Sequence, residues 1–134
     1  MDRDADEPVG QAWLEIIRRP SLKAFATAFV TEPVLDASVL SGPIIGVAGI
    51  RAFFDETRAM YDRIAFVHET RSATRIQLEW QGVFAGREIA GTTILALGAA
   101  DLIQGIRIYH RPYEQVIAFA TELALRLGNT PPTI

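Results

Sequence analysis

At 134 residues the chain has the size of one domain, and a chain that long can bury roughly two-thirds of its unfolded surface. Hydrophobic residues make up 49% and charged ones 22%, which excludes wholesale disorder, and a net charge of −3 without a clustered basic face argues against a nucleic-acid partner. The absence of cysteine removes disulfides, thiolate metal sites and cysteine nucleophiles; the acidic start (Asp2, Asp4, Asp6, Glu7) is the reverse of a signal peptide, and no apolar run approaches the ~18 residues of a membrane span.

The expectation is therefore one soluble, cytoplasmic domain over residues 1–134, with loose tails at about 1–6 and 129–134, the latter carrying Pro131 and Pro132. Asp6 is placed to cap a first helix with Pro8 in its first turn. Trp13, Ile16 and Ile17 share a face of it by three-and-four spacing. Pro20 ends that helix, and Ser21 caps a second, short one carrying Leu22, Phe25 and Phe29. Val34 to Leu40 alternates and is rich in branched residues, which predicts a strand stopped by Ser41, Gly42 and Pro43. A third helix over about 47–62 puts Ile50, Phe53, Phe54, Thr57 and Tyr61 on one stripe.

Four strands follow, Ile64 to Ser72, Arg75 to Phe84, Glu88 to Leu97 and Leu102 to Arg111, with reversals at Ala85-Gly86 and from Gly98 to Asp101. Pro112 opens a last helix, with Glu114 in its first turn, Val116, Ile117, Ala120, Leu123, Ala124 and Leu127 on one face, and Gly128 beyond its end. Helices grouped ahead of a long meander predict an α+β fold, a cone-like curved antiparallel sheet wrapped around the N-terminal helices. A strongly twisted sheet curls, and a pocket forms where the helices leave its concave side unfilled.

Strand alternation selects the candidates. On the last strand Gln104, Ile106, Ile108 and His110 form the expected pocket side, with Ile103, Gly105, Arg107 and Tyr109 outside. An imidazole titrates near neutral pH, so His110 is the leading acid or base. His68, with Phe66 and Thr70, is a second candidate or else a surface histidine beside Glu69 and Arg71. On the strand from Arg75 to Phe84, either Ile76, Leu78 and Trp80 face the pocket, or Gln77, Glu79 and Gln81 do. In the second case Glu79 is a desolvated base or a partner for His110. Trp13, Phe54, Tyr61, Trp80 and Ile108 are the expected apolar lining for a small apolar ligand. With only two histidines and no HxH or HExxH spacing, neither a metal nor another cofactor is expected. The outer sheet face with Ile103, Arg107 and Tyr109 suggests a homodimer.

The order of elements, together with Leu35-Asp36-Ala37-Ser38-Val39, the stretch from Gly46 to Phe54 containing Ile50-Arg51-Ala52-Phe53-Phe54, and the closing Ile106 to Pro112, resembles the nuclear-transport-factor-2-like superfamily over about residues 10–127. The resemblance implies the cone-like fold and a range of activities: ketosteroid isomerases, limonene-epoxide hydrolases, SnoaL-like polyketide cyclases, dehydratases and non-catalytic binding proteins. It places His110 where the epoxide hydrolases and cyclases carry an aspartate, and Asp36 near the position of the isomerases' aspartate base. Thr92 and Thr93 stand where many relatives have an acidic residue. Two functions are expected from this: a cofactor-independent cyclase- or isomerase-like enzyme with His110 as acid or base and Glu79 or Asp36 assisting, or a non-catalytic ligand-binding or dimerisation module.

Overall fold

The computed structural model describes residues 8–129, so Asp6, Pro131 and Pro132 lie outside the described residues. In chain order the elements are α1 (Gln11–Ile17), α2 (Leu22–Ala26), β1 (Phe29–Ala37), a two-residue β2 (Ile44–Ile45), α3 (Val47–Met60), β3 (Tyr61–Arg71), β4 (Arg75–Phe84), β5 (Arg87–Leu97), a 3-10 turn (Ala99–Asp101), β6 (Ile103–Arg111) and α4 (Tyr113–Arg126). They build one curved six-stranded sheet in the order β2-β1-β6-β5-β4-β3. The class is α+β, and the helices cover the concave face.

Strands β3 to β6 form the predicted antiparallel meander. The β4–β5 hairpin turns on Ala85 (φ 52°) and Gly86 (φ 77°), the left-handed pair that a two-residue reversal between twisted strands requires. One ladder departs from the antiparallel expectation: β1 runs parallel to β6. A parallel pair needs a long crossover, and here α3 and the meander together supply it.

Three boundaries also move. Phe29 is not on the second helix, which ends at Ala26, where Thr27 Oγ1 and Arg19 Nη1 both donate to the Ala24 carbonyl (2.7 and 3.1 Å); the branched Val30 and Thr31 that follow favour strand. Phe29 instead opens β1, its ring still 4.7 Å from that of Phe25. That strand stops at Ala37 rather than at Leu40. Tyr61 ends α3 and opens β3, so it belongs to the sheet.

The core lies between the concave face and the helices, with Phe25, Ile50, Phe53, Leu78, Ile106 and Phe119 among its most buried side chains. Phe119 was absent from the predicted apolar face of α4, yet it is fully buried and meets Tyr61, Phe84 and His110. Gln115, one turn earlier, is buried and donates to the carbonyls of Phe84 and Arg87 (2.9 and 3.1 Å), which ties the start of α4 to the β4–β5 hairpin. Gly128 (φ 76°) closes α4, and the Asn129 N–H donates to the Ala124 carbonyl at 2.7 Å, so Asn129 belongs to the helix cap.

Candidate functional site

The helices fill the concave face incompletely. A cavity of about 220 Å³ remains, walled by Trp13 of α1, Phe54 and Thr57 of α3, Tyr61 at the start of β3, Trp80 of β4 and Ile108 of β6. The rings brace one another edge to face: Trp13 on Phe54 at 5.2 Å, and Tyr61 on Trp80 at 5.6 Å. Such contacts add about 0.5–1.5 kcal/mol each beyond area burial, so the walls are stiff and do not collapse into the space. A wider groove of about 550 Å³, lined in part by Ile76, Leu97, Glu69 and Arg71, lies on the far side of Trp13.

His110 does not line the cavity. It stands behind Tyr61 and Trp80, 8% exposed, with its ring against Trp80 (5.1 Å, T-shaped) and Phe119 (5.3 Å, tilted). Both ring nitrogens are bonded: Nε2 lies 3.1 Å from the Tyr61 hydroxyl and Nδ1 lies 3.3 Å from Ser38 Oγ. Ser38 is pinned from both sides, because its Oγ also accepts the His110 backbone N–H at 2.9 Å and its own N–H donates to the Ile108 carbonyl at 2.9 Å. No charged partner accompanies this burial, which therefore pulls the imidazole down to about 4 and pushes the Tyr61 phenol well above its ordinary value. Both groups are neutral at pH 7. The result is a chain of uncharged hydrogen-bonding groups that leads from the surface at Ser38 to the cavity wall at Tyr61.

A second buried bond sets the floor: the Trp80 Nε1–H donates to Thr93 Oγ1 at 3.1 Å. Trp80, Gly91 and His110 are neighbours across β4, β5 and β6. A Cβ at Gly91 would collide with the Trp80 ring and the Tyr109 carbonyl oxygen, so the glycine is what lets the indole lie across the sheet against His110.

The ionisable candidates other than His110 lie elsewhere. Asp36 and Glu79 are exposed on the outer face of the sheet, because Leu35, Leu78 and Trp80 take the inward positions of their strands; His68 is exposed there too, because the ladder to β4 skips Val67 and turns β3 over after the cavity-lining Phe66. His68, Glu79, Thr92 and Tyr109 are register neighbours in one row there. Asp36 pairs in register with Arg107, and Arg51 bonds Asp55 at 3.2 Å. The structure thus selects the first of the two alternatives for β4, with Trp80 inward and Glu79 outward. Near the start of β6 the predicted faces exchange: Ile103 is buried and Gln104 exposed, since the ladder to β5 skips Gln104 between Ala96 and Leu97 and turns the strand over. Trp13, Phe54, Tyr61, Trp80 and Ile108 all line the cavity.

Ser38, Thr93, Gly91 and Phe119 were not predicted in these roles. Thr93 could have been found by asking what a buried indole N–H bonds to, since β4 and β5 are joined by a two-residue turn that fixes their register. Ser38 carries no such signal, because its contact with His110 crosses 72 residues of sequence. Among the described residues no group of three His, Cys, Asp or Glu side chains is close enough to hold a metal ion, and no helix is long and apolar enough to cross a membrane.

No protein-family model and no curated protein matches this chain. Solved structures do resemble it. A steroid delta-isomerase from Pseudomonas aeruginosa superposes with a TM-score of 0.77 at 18% identity over 88% of each chain. An uncharacterised bacterial protein with a cystatin-like fold from Silicibacter pomeroyi gives 0.77 at 15% identity, covering 85% of this chain and 81% of that one. A protein of ketosteroid isomerase-like fold from Catenulispora acidiphila, solved with trimethylamine, gives 0.60 at 17% identity over 81% and 88%. At such identities the likeness establishes the fold. It is the cystatin-like, ketosteroid isomerase-like fold that the sequence resemblance implied.

Proposed function

We propose that this protein binds a small, largely apolar molecule carrying one hydrogen-bonding oxygen, with the Tyr61 hydroxyl as the polar anchor and His110 as its support. The observation that carries this reading is an aromatic-walled cavity whose lining includes a tyrosine backed by a buried, neutral histidine. A small carbonyl compound suits both the apolar lining and a neutral donor, and a cavity of 220 Å³ is below the size of drug-binding pockets, so the ligand is correspondingly small. Roughly 150 Å³ of apolar cavity suffices for benzene.

Acid–base chemistry of the isomerase or cyclase kind in this cavity would run through Tyr61 and His110, because Asp36 and Glu79 face away and the two arginines that also line it, Arg18 and Arg58, supply only N–H donors. A neutral phenol polarises a carbonyl oxygen as an oxyanion-hole donor does, whereas His110 is not placed to take a proton from a ligand carbon, because it stands behind Tyr61 with both ring nitrogens bonded. The geometry therefore favours binding over acid–base turnover.

Trp13 and Trp80 are the only two tryptophans of the chain and both line the cavity, so intrinsic fluorescence reads occupancy directly. Titration with small cyclic ketones should change the emission saturably and raise the melting temperature. Ketones that leave both unchanged at millimolar concentration would overturn the proposal.

A further inference from the structure

We propose that His110 is a tautomeric adaptor: held between Ser38 and Tyr61, its ring lets the Tyr61 hydroxyl serve a cavity ligand as either donor or acceptor. One site then takes a carbonyl compound and a hydroxyl compound of the same skeleton. The inference rests on the binding function proposed above and specifies the chemistry of its ligands.

The argument is a count of hydrogens and lone pairs. In the first arrangement the Ser38 hydroxyl donates to Nδ1, Nε2–H donates to the Tyr61 oxygen, and the Tyr61 hydrogen is left to bond a ligand carbonyl. In the second, Tyr61 donates to Nε2 and Nδ1–H donates to Ser38 Oγ, and a lone pair on the Tyr61 oxygen accepts a ligand hydroxyl. Ser38 Oγ tolerates both. It already accepts the His110 backbone N–H at 2.9 Å and has a second lone pair for Nδ1–H, while its own hydrogen can turn to water because Ser38 is exposed. Exchange between the two brings one hydrogen onto Nδ1 from solvent through Ser38 and passes the Nε2 hydrogen to the Tyr61 oxygen, whose own hydrogen leaves to water on the cavity side; the reverse exchange retraces this path, and the ring is neutral in both.

The surroundings hold the ring in place while this happens. Trp80 and Phe119 pack against it, with ring centroids 5.1 and 5.3 Å away, and this packing opposes rotation of the imidazole toward other partners. Among the described residues no carboxylate bonds it, which would fix one tautomer. A carboxylate in place of Ser38 could only accept from Nδ1–H and would lock Tyr61 as a donor to Nε2. The serine keeps both states open.

The test is ¹⁵N NMR of the His110 ring in the intact protein, titrated with cyclohexanone as a pure acceptor and with phenol as a strong donor, alongside tryptophan fluorescence. Cyclohexanone should move the ring nitrogens toward the Nε2–H pattern and phenol toward the Nδ1–H pattern, and Tyr61→Phe should abolish both movements and weaken each compound about fivefold. If both compounds change the fluorescence while the ring shifts stay the same, or move alike, the adaptor role is overturned and binding stands. The adaptor role also falls if the shifts persist in Tyr61→Phe. If neither compound binds, both proposals fall.

Discussion

Replacing Gly91 by alanine tests the packing that places Trp80 against His110. The added Cβ meets the indole ring on one side and the Tyr109 carbonyl oxygen on the other. The backbone cannot shift away, because β5 is paired to β4 and β6 along this stretch. Overpacking of this kind costs about 1–3 kcal/mol. If the indole moves instead, the buried bond to Thr93 is lost as well, another 1–3 kcal/mol or so. A total of about 3 kcal/mol corresponds to a fall in melting temperature of about 10 °C for a chain of this size. Gly105→Ala is the internal control: its nearest neighbours would be at 3.7 and 3.8 Å, ordinary contact distances, so the change should stay within about 1 kcal/mol. Thermal unfolding followed by circular dichroism measures both. A Gly91→Ala protein melting within about 2 °C of the wild type, or two variants falling equally, would refute the close-approach argument.

Stability should depend on pH through His110. Its folded imidazole is pulled from 6.5 to about 4, so between those values the unfolded chain binds a proton that the folded one does not; stability is full above about pH 6.5, declines as the pH falls to about 4, and costs about 3 kcal/mol in all. Urea unfolding at pH 7.5 and 4.5 should therefore show a smaller difference in His110→Gln than in the wild type, and equal differences would contradict the assignment. Thr93→Val leaves the indole N–H of Trp80 unpaired in the core and should cost about 1–3 kcal/mol in chemical denaturation. Ala85→Asn should stabilise by up to about 1 kcal/mol, since asparagine accepts the left-handed conformation that alanine holds at a cost; a lower melting temperature would count against that turn geometry.

The fold was legible for reasons that show in particular segments. The alternation of Ile76, Leu78 and Trp80, the turn residues Ala85-Gly86, and the proline and glycine that bracket α4 are local signals, and the elements they predict lie within a few residues of those observed. Phe29 and Tyr61 were misplaced because each sits at a junction where helix spacing and strand spacing both fit, and contacts with β6 and β4 decide between them.

The site was legible in its apolar part only. Large apolar residues that recur at helical or strand spacing mark the buried face of their element, so Trp13, Phe54, Tyr61, Trp80 and Ile108 could be assigned to a concave face from periodicity. Ionisable residues obey no such rule: Asp36, Glu79 and His68 had to be weighed as inward or outward, and inward apolar neighbours turn Asp36 and Glu79 out while the irregularity at Val67 does so for His68. For Glu79 the deciding fact is that Trp80 finds Thr93 across the sheet.

From the sequence alone follow the class of fold, the meander, and an aromatic-lined concave face, because hydrophobic period and turn chemistry act within a few residues. Only the tertiary structure decided that β1 lies parallel to β6, that Ser38 meets His110, and that His110 stands behind Tyr61, one layer away from the cavity. Those contacts join residues 49 and 72 positions apart, and their geometry comes from how the sheet curls around its helices.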